Sequence, residues 1–400
     1  MNVKKLRLRP ILFWSHLVCG IAAGLIILFL SLTGSILACE KPILAWADAH
    51  TMGELQPSGQ PLPISVLMSR VQNEAGQPAG SVTIPAGDNH PYLFEVGRDH
   101  AWLADPYRGK TVAASPHLRG FFHTVLTLHR WFGLSDASHK ITSQIVGWAA
   151  LLFAFLILSG WVLWLPPSWQ PAALRTRLRP MWPSQARARN WNWHASFGFW
   201  MALPLLSISI TGVIMALPWA NELLFRITGS PLPQQRGEAG PEMHGSQRTQ
   251  GKIHAQHPEP GLRQNAHLQD AAVDVDRALA AARKIAAGYT SMQMRIPNSA
   301  SDSVTITVDR GNGAQPQYRE THTFDAAGKL QRTESFASQS PGRRVRSIVR
   351  FLHTGEIFGI AGELLGFVAC LASCLLVWTG FALTLQRFRR RKPARAVKLA

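Results

Sequence analysis

Four stretches of the chain, Ile11–Ala38, Ile145–Leu165, Trp193–Leu217 and Ile360–Leu385, are almost uninterrupted apolar sequence, with no lysine, arginine or aspartate in any of them. Each is about 20 residues or longer, and a helix rising 1.5 Å per residue needs about that length to cross ~30 Å of hydrocarbon. With 46% hydrophobic and only 16% charged residues, a soluble domain would struggle to hide this much apolar surface. The runs therefore predict four membrane-spanning helices.

Charge gives the orientation. Residues 1–10 carry Lys4, Lys5, Arg7 and Arg9, residues 166–191 carry five arginines, and the segment after Leu385 carries seven lysines and arginines. These three segments contain no acidic residue, while the rest of the chain is nearly balanced, with 25 basic against 23 acidic residues. The positive-inside rule puts both termini and the middle loop in the cytoplasm of a bacterial inner-membrane protein, and the long segments between the spans outside. The sequence pI near 10.7 is thus a topology signal, and no nucleic-acid partner is expected. The expected order is a basic start (1–10), span 11–38, outer domain 39–116, a His-bearing segment 117–142, span 143–165, basic loop 166–191 and span 192–218. It continues with outer domain 219–345, a second His-bearing segment 346–359, span 360–386 and a basic tail 387–400.

The first run has the basic start of a signal peptide, but it is far longer than the 7 to 15 residues of a signal core, so it reads as a retained anchor. The competing reading takes Ile36-Leu37-Ala38-Cys39 as a lipoprotein-like cleavage site. The cysteines at 19, 39, 370 and 374 have neither zinc-site nor CxxC spacing, which predicts no disulfide framework and no cysteine metal site.

The chain reads as an internal duplication. His16 is followed by Gly20 and by Thr33-Gly34, and His194 is followed by Gly198 and by Thr211-Gly212, at identical offsets of 4, 17 and 18 residues. On a straight helix 18 residues make five turns, so each histidine shares a face with its distal glycine. LHRWFG (Leu128–Gly133) precedes a span containing Ser159-Gly160, and LHTGEIFG (Leu352–Gly359) precedes one containing Thr379-Gly380. Each outer segment predicts a helix followed by short strands: Pro63–Ala75, then Ser81–Pro85, Tyr92–Gly97 and His100–Asp105 in the first. In the second they are Ala271–Ala287, then Gln293–Ile296, Ser303–Asp309, Tyr318–Asp325 and Lys329–Ser335. Turns fall at Asp105–Gly109 and Asp325–Gly328. The stretch Gly229–Gln269, rich in Pro, Gly, Gln and His, reads as a flexible insertion. The fold class is an α-helical membrane protein of four spans in a duplicated arrangement, with two α+β outer domains.

An imidazole in hydrocarbon needs a partner to offset its desolvation, so four histidines at matched positions point to a cofactor. His16 and His194 fall near the cytoplasmic face, His129 and His353 near the outer face. Two facing imidazoles with no cysteine or aspartate beside them suit the axial positions of an iron porphyrin better than a tetrahedral zinc site. Gly20 and Gly24 form a stripe free of side chains beside His16, and Gly198 stands in the corresponding place beside His194; such a stripe either admits a macrocycle or packs helices closely. With no CxxCH the haem would be b-type, and two are expected. His123 is the alternative outer ligand, since six residues turn it about 240° from His129. His244, His254, His257 and His267 read as surface histidines. No nucleotide-binding glycine motif is present, because Gly311-Asn-Gly313 lies in a predicted hairpin, so electrons come from quinol or a cytoplasmic reductase.

The order of spans, LHRWFG, WHASFG with its later TG, LHTGEIFG, and the DPYRG and FDAAG turns resemble the PepSY-associated transmembrane proteins over nearly the whole chain. Better-understood members are inner-membrane ferric-siderophore reductases with haem. The resemblance implies PepSY-like periplasmic domains, haem ligands at His16, His129, His194 and His353, and electron transfer to a ferric siderophore or other ferric chelate, which releases iron. It also admits a class without redox chemistry, a PepSY regulator of a protease or signalling partner. The insertion after Gly229 departs from the family pattern and leaves the substrate or partner surface open.

Overall fold

A computed structural model describes residues 8–97, 100–134, 136–166, 169–232, 275–297, 303–325 and 327–389. Most of the insertion, with His244, His254, His257 and His267, lies outside the described residues, as do Lys4, Lys5, Arg7, the first residues of the helix expected from Ala271, and the tail beyond Arg389. In chain order the elements are α1 (Leu8–Leu37), α2 (Glu40–Met52), α3 (Ile64–Ala75), β1 (Ala79–Pro85), β2 (Tyr92–Val96), β3 (His100–Ala104), β4 (Thr111–Ala113), α4 (Pro116–Trp131), α5 (His139–Trp164), α6 (Pro171–Leu178), α7 (Ala186–Trp200), α8 (Ala202–Ala216) and α9 (Pro218–Ile227). They continue with α10 (275–285), β5 (Ser291–Arg295), β6 (Val304–Asp309), β7 (Arg319–Phe324), β8 (Leu330–Ser335), α11 (Pro341–Thr354) and α12 (Gly359–Arg389). They divide into a helical unit, comprising the residues up to Glu40, Thr124–Leu224 and those from Arg346, and a sheet unit of Lys41–His123 with Phe225–Val345.

In the helical unit α1 packs against α5 and α12, α5 against α8, and α7 against α12. A hydrogen bond of 2.7 Å between Ser31 and Ser373 ties α1 to α12. The outward faces are apolar: Leu25, Leu203 and Trp378 are each 70% exposed, which suits lipid and not water. Three helical stretches, Leu8–Met52, Pro116–Trp164 and Glu356–Arg389, are long and apolar enough to cross a membrane, and the pair α7–α8 makes a fourth if it is counted as one span.

That third span is not the continuous helix its composition suggests. α7 and α8 meet at 66°. Pro204 explains the break, because it has no N–H for the carbonyl of Trp200 and its ring crowds that carbonyl. The ladder continues on either side, from Met201 N–H to Phe197 O and from Leu205 N–H to Met201 O. The assumption that His194 and Gly212 share one straight face therefore fails here, although α1 is unbroken from His16 to Gly34. The fourth span enters through a tight turn: Gly355 has φ +79°, and a Cβ there would sit 2.3 Å from the carbonyl oxygen of Gly362. Only glycine fits both the conformation and the close approach, which accounts for the first glycine of LHTGEIFG.

The sheet unit differs from the expected pair of outer domains in one respect: its halves form one eight-stranded antiparallel sheet, in the order β4-β3-β2-β1-β5-β6-β7-β8. The strands that would have been open edges pair with each other, Val82 opposite Met294 and Ile84 opposite Met292. Inward alternation in both halves places Val82, Ile84, Phe94, Met292, Met294, Ile306 and Phe324 in one core beneath α3 and α10. Side chains also make polar contacts between the halves. Asp276 of α10 accepts from Ile64 N–H at 2.7 Å, supplying to the start of α3 the cap that Pro63 cannot give. Arg283 donates to the Tyr92 hydroxyl at 3.0 Å. The two expected turns form as read, with Asp105 accepting from Tyr107 and Arg108 N–H, and Asp325 from Ala327 and Lys329 N–H.

Candidate functional site

Each of the four matched histidines meets a hydroxyl on a neighbouring helix. His16 Nδ1 lies 2.8 Å from Ser159 Oγ, His129 Nδ1 2.8 Å from Thr33 Oγ1, His194 Nδ1 2.9 Å from Thr379 Oγ1 and His353 Nδ1 3.0 Å from Thr211 Oγ1. Every one of these hydroxyls belongs to a Ser-Gly or Thr-Gly pair. Each ring lies against the neighbouring glycine: a Cβ at Gly160, Gly34, Gly380 or Gly212 would stand 3.4, 3.5, 3.6 or 3.4 Å from the Cε1 of that histidine, an ordinary van der Waals contact.

The hydrogen-bond roles follow from what the hydroxyls already do. Each spends its own proton on a carbonyl of the preceding turn: Ser159 on Phe155 at 2.7 Å, Thr33 on Phe29 at 2.8 Å, Thr379 on Leu375 at 2.8 Å and Thr211 on Ser207 at 2.7 Å. Their oxygens can then only accept, so Nδ1 carries the proton and donates. At His353 a second acceptor, the carbonyl of Ile208 at 3.0 Å, requires the same tautomer. With the proton on Nδ1, the ring's lone pair is on Nε2.

The bonds run reciprocally. α1 gives His16 to α5 and receives His129 on Thr33; α7 gives His194 to α12, and α8 receives His353 on Thr211. His16 and Thr33 are 17 residues apart on one unbroken helix, which separates the two histidine levels by about 25 Å. Among the described residues no group of three or more His, Cys, Asp or Glu side chains is placed to hold a metal ion.

Other residues singled out from sequence take different places. His123 is exposed on α4, a turn and a half before His129, and only His129 reaches a Thr-Gly pair. A Cβ at Gly24 would meet the ring of Phe381 at 2.8 Å, so this glycine lets α1 and α12 pack closely. Gly20 faces Leu156 at 3.9 Å and Gly198 faces Leu376 at 3.6 Å, both ordinary contacts with neighbouring helices. The residues that sequence reasoning missed are the hydroxyls of Thr33, Ser159, Thr211 and Thr379. Their signal was present in the recurrence of Ser/Thr-Gly in every span, read there only as a landmark of duplication.

In the sheet unit, His322 is buried, with Nδ1 3.0 Å from Thr333 Oγ1 and Nε2 3.7 Å from Glu320. Burial pushes its imidazole below the ordinary histidine range, against the pull of Glu320. Glu320 is paired with Arg310 at 2.8 Å, so this cluster is a neutralised network at the last strands of the sheet.

No curated protein matches the chain. The family model of the PepSY-associated TM region matches residues 13–387, nearly the whole length. Taken with the apolar helices, that match makes the chain a membrane protein belonging to the PepSY-associated transmembrane family.

Proposed function

We propose that this protein is an inner-membrane, di-haem b electron carrier that reduces a ferric chelate, such as a ferric siderophore, on the periplasmic side. The observation that supports this reading is the set of four imidazoles, each donating through Nδ1 to a Ser/Thr-Gly hydroxyl and each left with Nε2 as a lone-pair donor. That donor set suits haem iron, which needs two axial nitrogens and no further protein ligand. His16 and His194 would hold the inner haem, His129 and His353 the outer one. Haem, when bound, supplies a reversible one-electron couple. The residues of the chain fix ring orientation and tautomer, and α1 sets a spacing of about 25 Å between the levels, close to the ~30 Å thickness of the hydrocarbon.

On this reading the two halves are a duplication, both termini are cytoplasmic, and the sheet unit lies in the periplasm, as the distribution of basic residues favours. Quinol or a cytoplasmic reductase supplies the electrons. Ferrous iron binds hard oxygen ligands less firmly than ferric iron, so reduction releases it. The test is anaerobic: protein reduced with dithionite and freed of reductant is mixed with a ferric hydroxamate chelate and a ferrous-trapping chromophore. The haem bands should shift to the oxidised form as the ferrous complex appears, in a ratio of one electron per iron. Haem that stays reduced over the same interval would remove the chelate from the proposal, and a protein without haem would favour a PepSY regulator of a protease or signalling partner.

A further inference from the structure

The helical unit carries a pair of cations that electron transfer does not use. Arg9, at the start of α1, donates through Nη2 to the carbonyls of Leu163 at 3.2 Å and Leu165 at 2.9 Å. Arg177, on α6, donates through Nη1 to the carbonyl of Trp164 at 2.5 Å. Both guanidiniums thus close on the C-terminal end of α5, whose last carbonyls have no helical donors. A helix end offers only about half an elementary negative charge, against two full positive ones. Residues 1–10, 166–191 and 386–400 contain no aspartate or glutamate to make up the difference. Arg177 is held below the ordinary arginine range, first by burial and then by the neighbouring cation Arg9.

The surface beside this pair is apolar. Leu158, Trp161 and Val162 of α5 and Leu165, the residue that follows it, are exposed, and Arg387 of α12 lies over Phe13 and Trp14, one turn beyond Arg9 on α1. A cation pair at the end of a lipid-facing apolar stripe is complementary to a molecule with an anionic head and acyl chains. We infer that Arg9 and Arg177 form a site for the headgroup phosphate of an anionic phospholipid, whose chains lie along the Leu158–Leu165 stripe of α5. A zwitterionic lipid also has a phosphate, but it brings a choline or ethanolamine cation to a place that already holds two.

The test uses the full-length protein in detergent, titrated with phosphatidylglycerol or phosphatidylcholine and followed by native mass spectrometry. One phosphatidylglycerol per chain should be retained, with a preference over phosphatidylcholine on the order of tenfold, and the Arg9→Gln/Arg177→Gln pair should bring that preference close to one. Equal retention of the two lipids by the wild type, or an undiminished preference in the double variant, would overturn the site. Displacement of phosphatidylglycerol by an equal concentration of inorganic phosphate would also overturn it, by making it a free-anion site. Should the double variant fail to fold, the wild type still decides. Brominated phosphatidylglycerol must then quench tryptophan emission more steeply than brominated phosphatidylcholine, with the difference shrinking at high salt; identical quenching curves would refute the proposal.

Discussion

Replacing His194 with alanine should remove the inner haem and leave the outer one in place. The reduced α-band per chain should fall by about half, because one of two irons loses an axial nitrogen while His129 and His353 keep theirs. Soluble reductants should still reduce the remaining haem, whereas electron delivery from the cytoplasmic side should fall by orders of magnitude, since transfer across an empty level of about 25 Å is far slower. His353→Ala should do the opposite, retaining the inner haem and losing reduction of a periplasmic ferric chelate. The proposed pairing follows from the hydroxyls that the rings meet: Ser159 and Thr379 lie towards the C-terminal ends of α5 and α12, and Thr33 and Thr211 towards those of α1 and α8. Spectra of double variants in which His16 and His353 prove to belong to one iron would refute it.

The second large effect concerns residues that touch no iron. Thr379→Val keeps the shape of the side chain but removes the hydroxyl acceptor for His194 Nδ1–H, leaving the ring to the backbone carbonyl of Leu376 and holding its orientation less firmly. Loss of such an outer partner weakens metal affinity about 10- to 100-fold. Transfer of haem from the variant to an excess of apomyoglobin should therefore show one fast phase for the inner site and an unchanged slow phase for the outer one. Thr379→Ser should restore the slow rate. Thr33→Val should produce the mirror result at the outer site, through His129. Ser31→Ala removes a bond between helices that involves no histidine, and it should leave both rates alone. Haem transfer from Thr379→Val at the wild-type rate would show that the hydroxyl does not hold the ring.

Much of this was legible in the sequence, for reasons that differ from element to element. Strong period-two alternation at Val304, Ile306 and Val308, and turn chemistry at Asp105 and Asp325, fix local structure from neighbours alone, and those elements lie within a residue or two of their expected places. The joining of β1 to β5 was not legible, because edge pairing between segments some 200 residues apart leaves no local periodic signal. The bend between α7 and α8 was written in Pro204 but masked by the apolar composition around it. For the histidines, equal spacing in two spans revealed the positions and the likeness between them. It could not show which hydroxyl each ring meets, since the repeat offset of 17 residues suggested a relation along one helix. In the folded chain the histidine and the Thr-Gly pair of α1 instead serve opposite ends of the bundle.

The proposed function requires that four imidazoles hold two irons. The most direct measurement is a haem assay on purified full-length protein from haem-replete cells, combined with the oxidised and dithionite-reduced optical spectra and low-temperature electron paramagnetic resonance. The prediction is two non-covalent haems b per chain, both low-spin with two imidazole ligands. A ratio of one haem per chain or less, or a high-spin iron with an open axial position in freshly prepared protein, would contradict it.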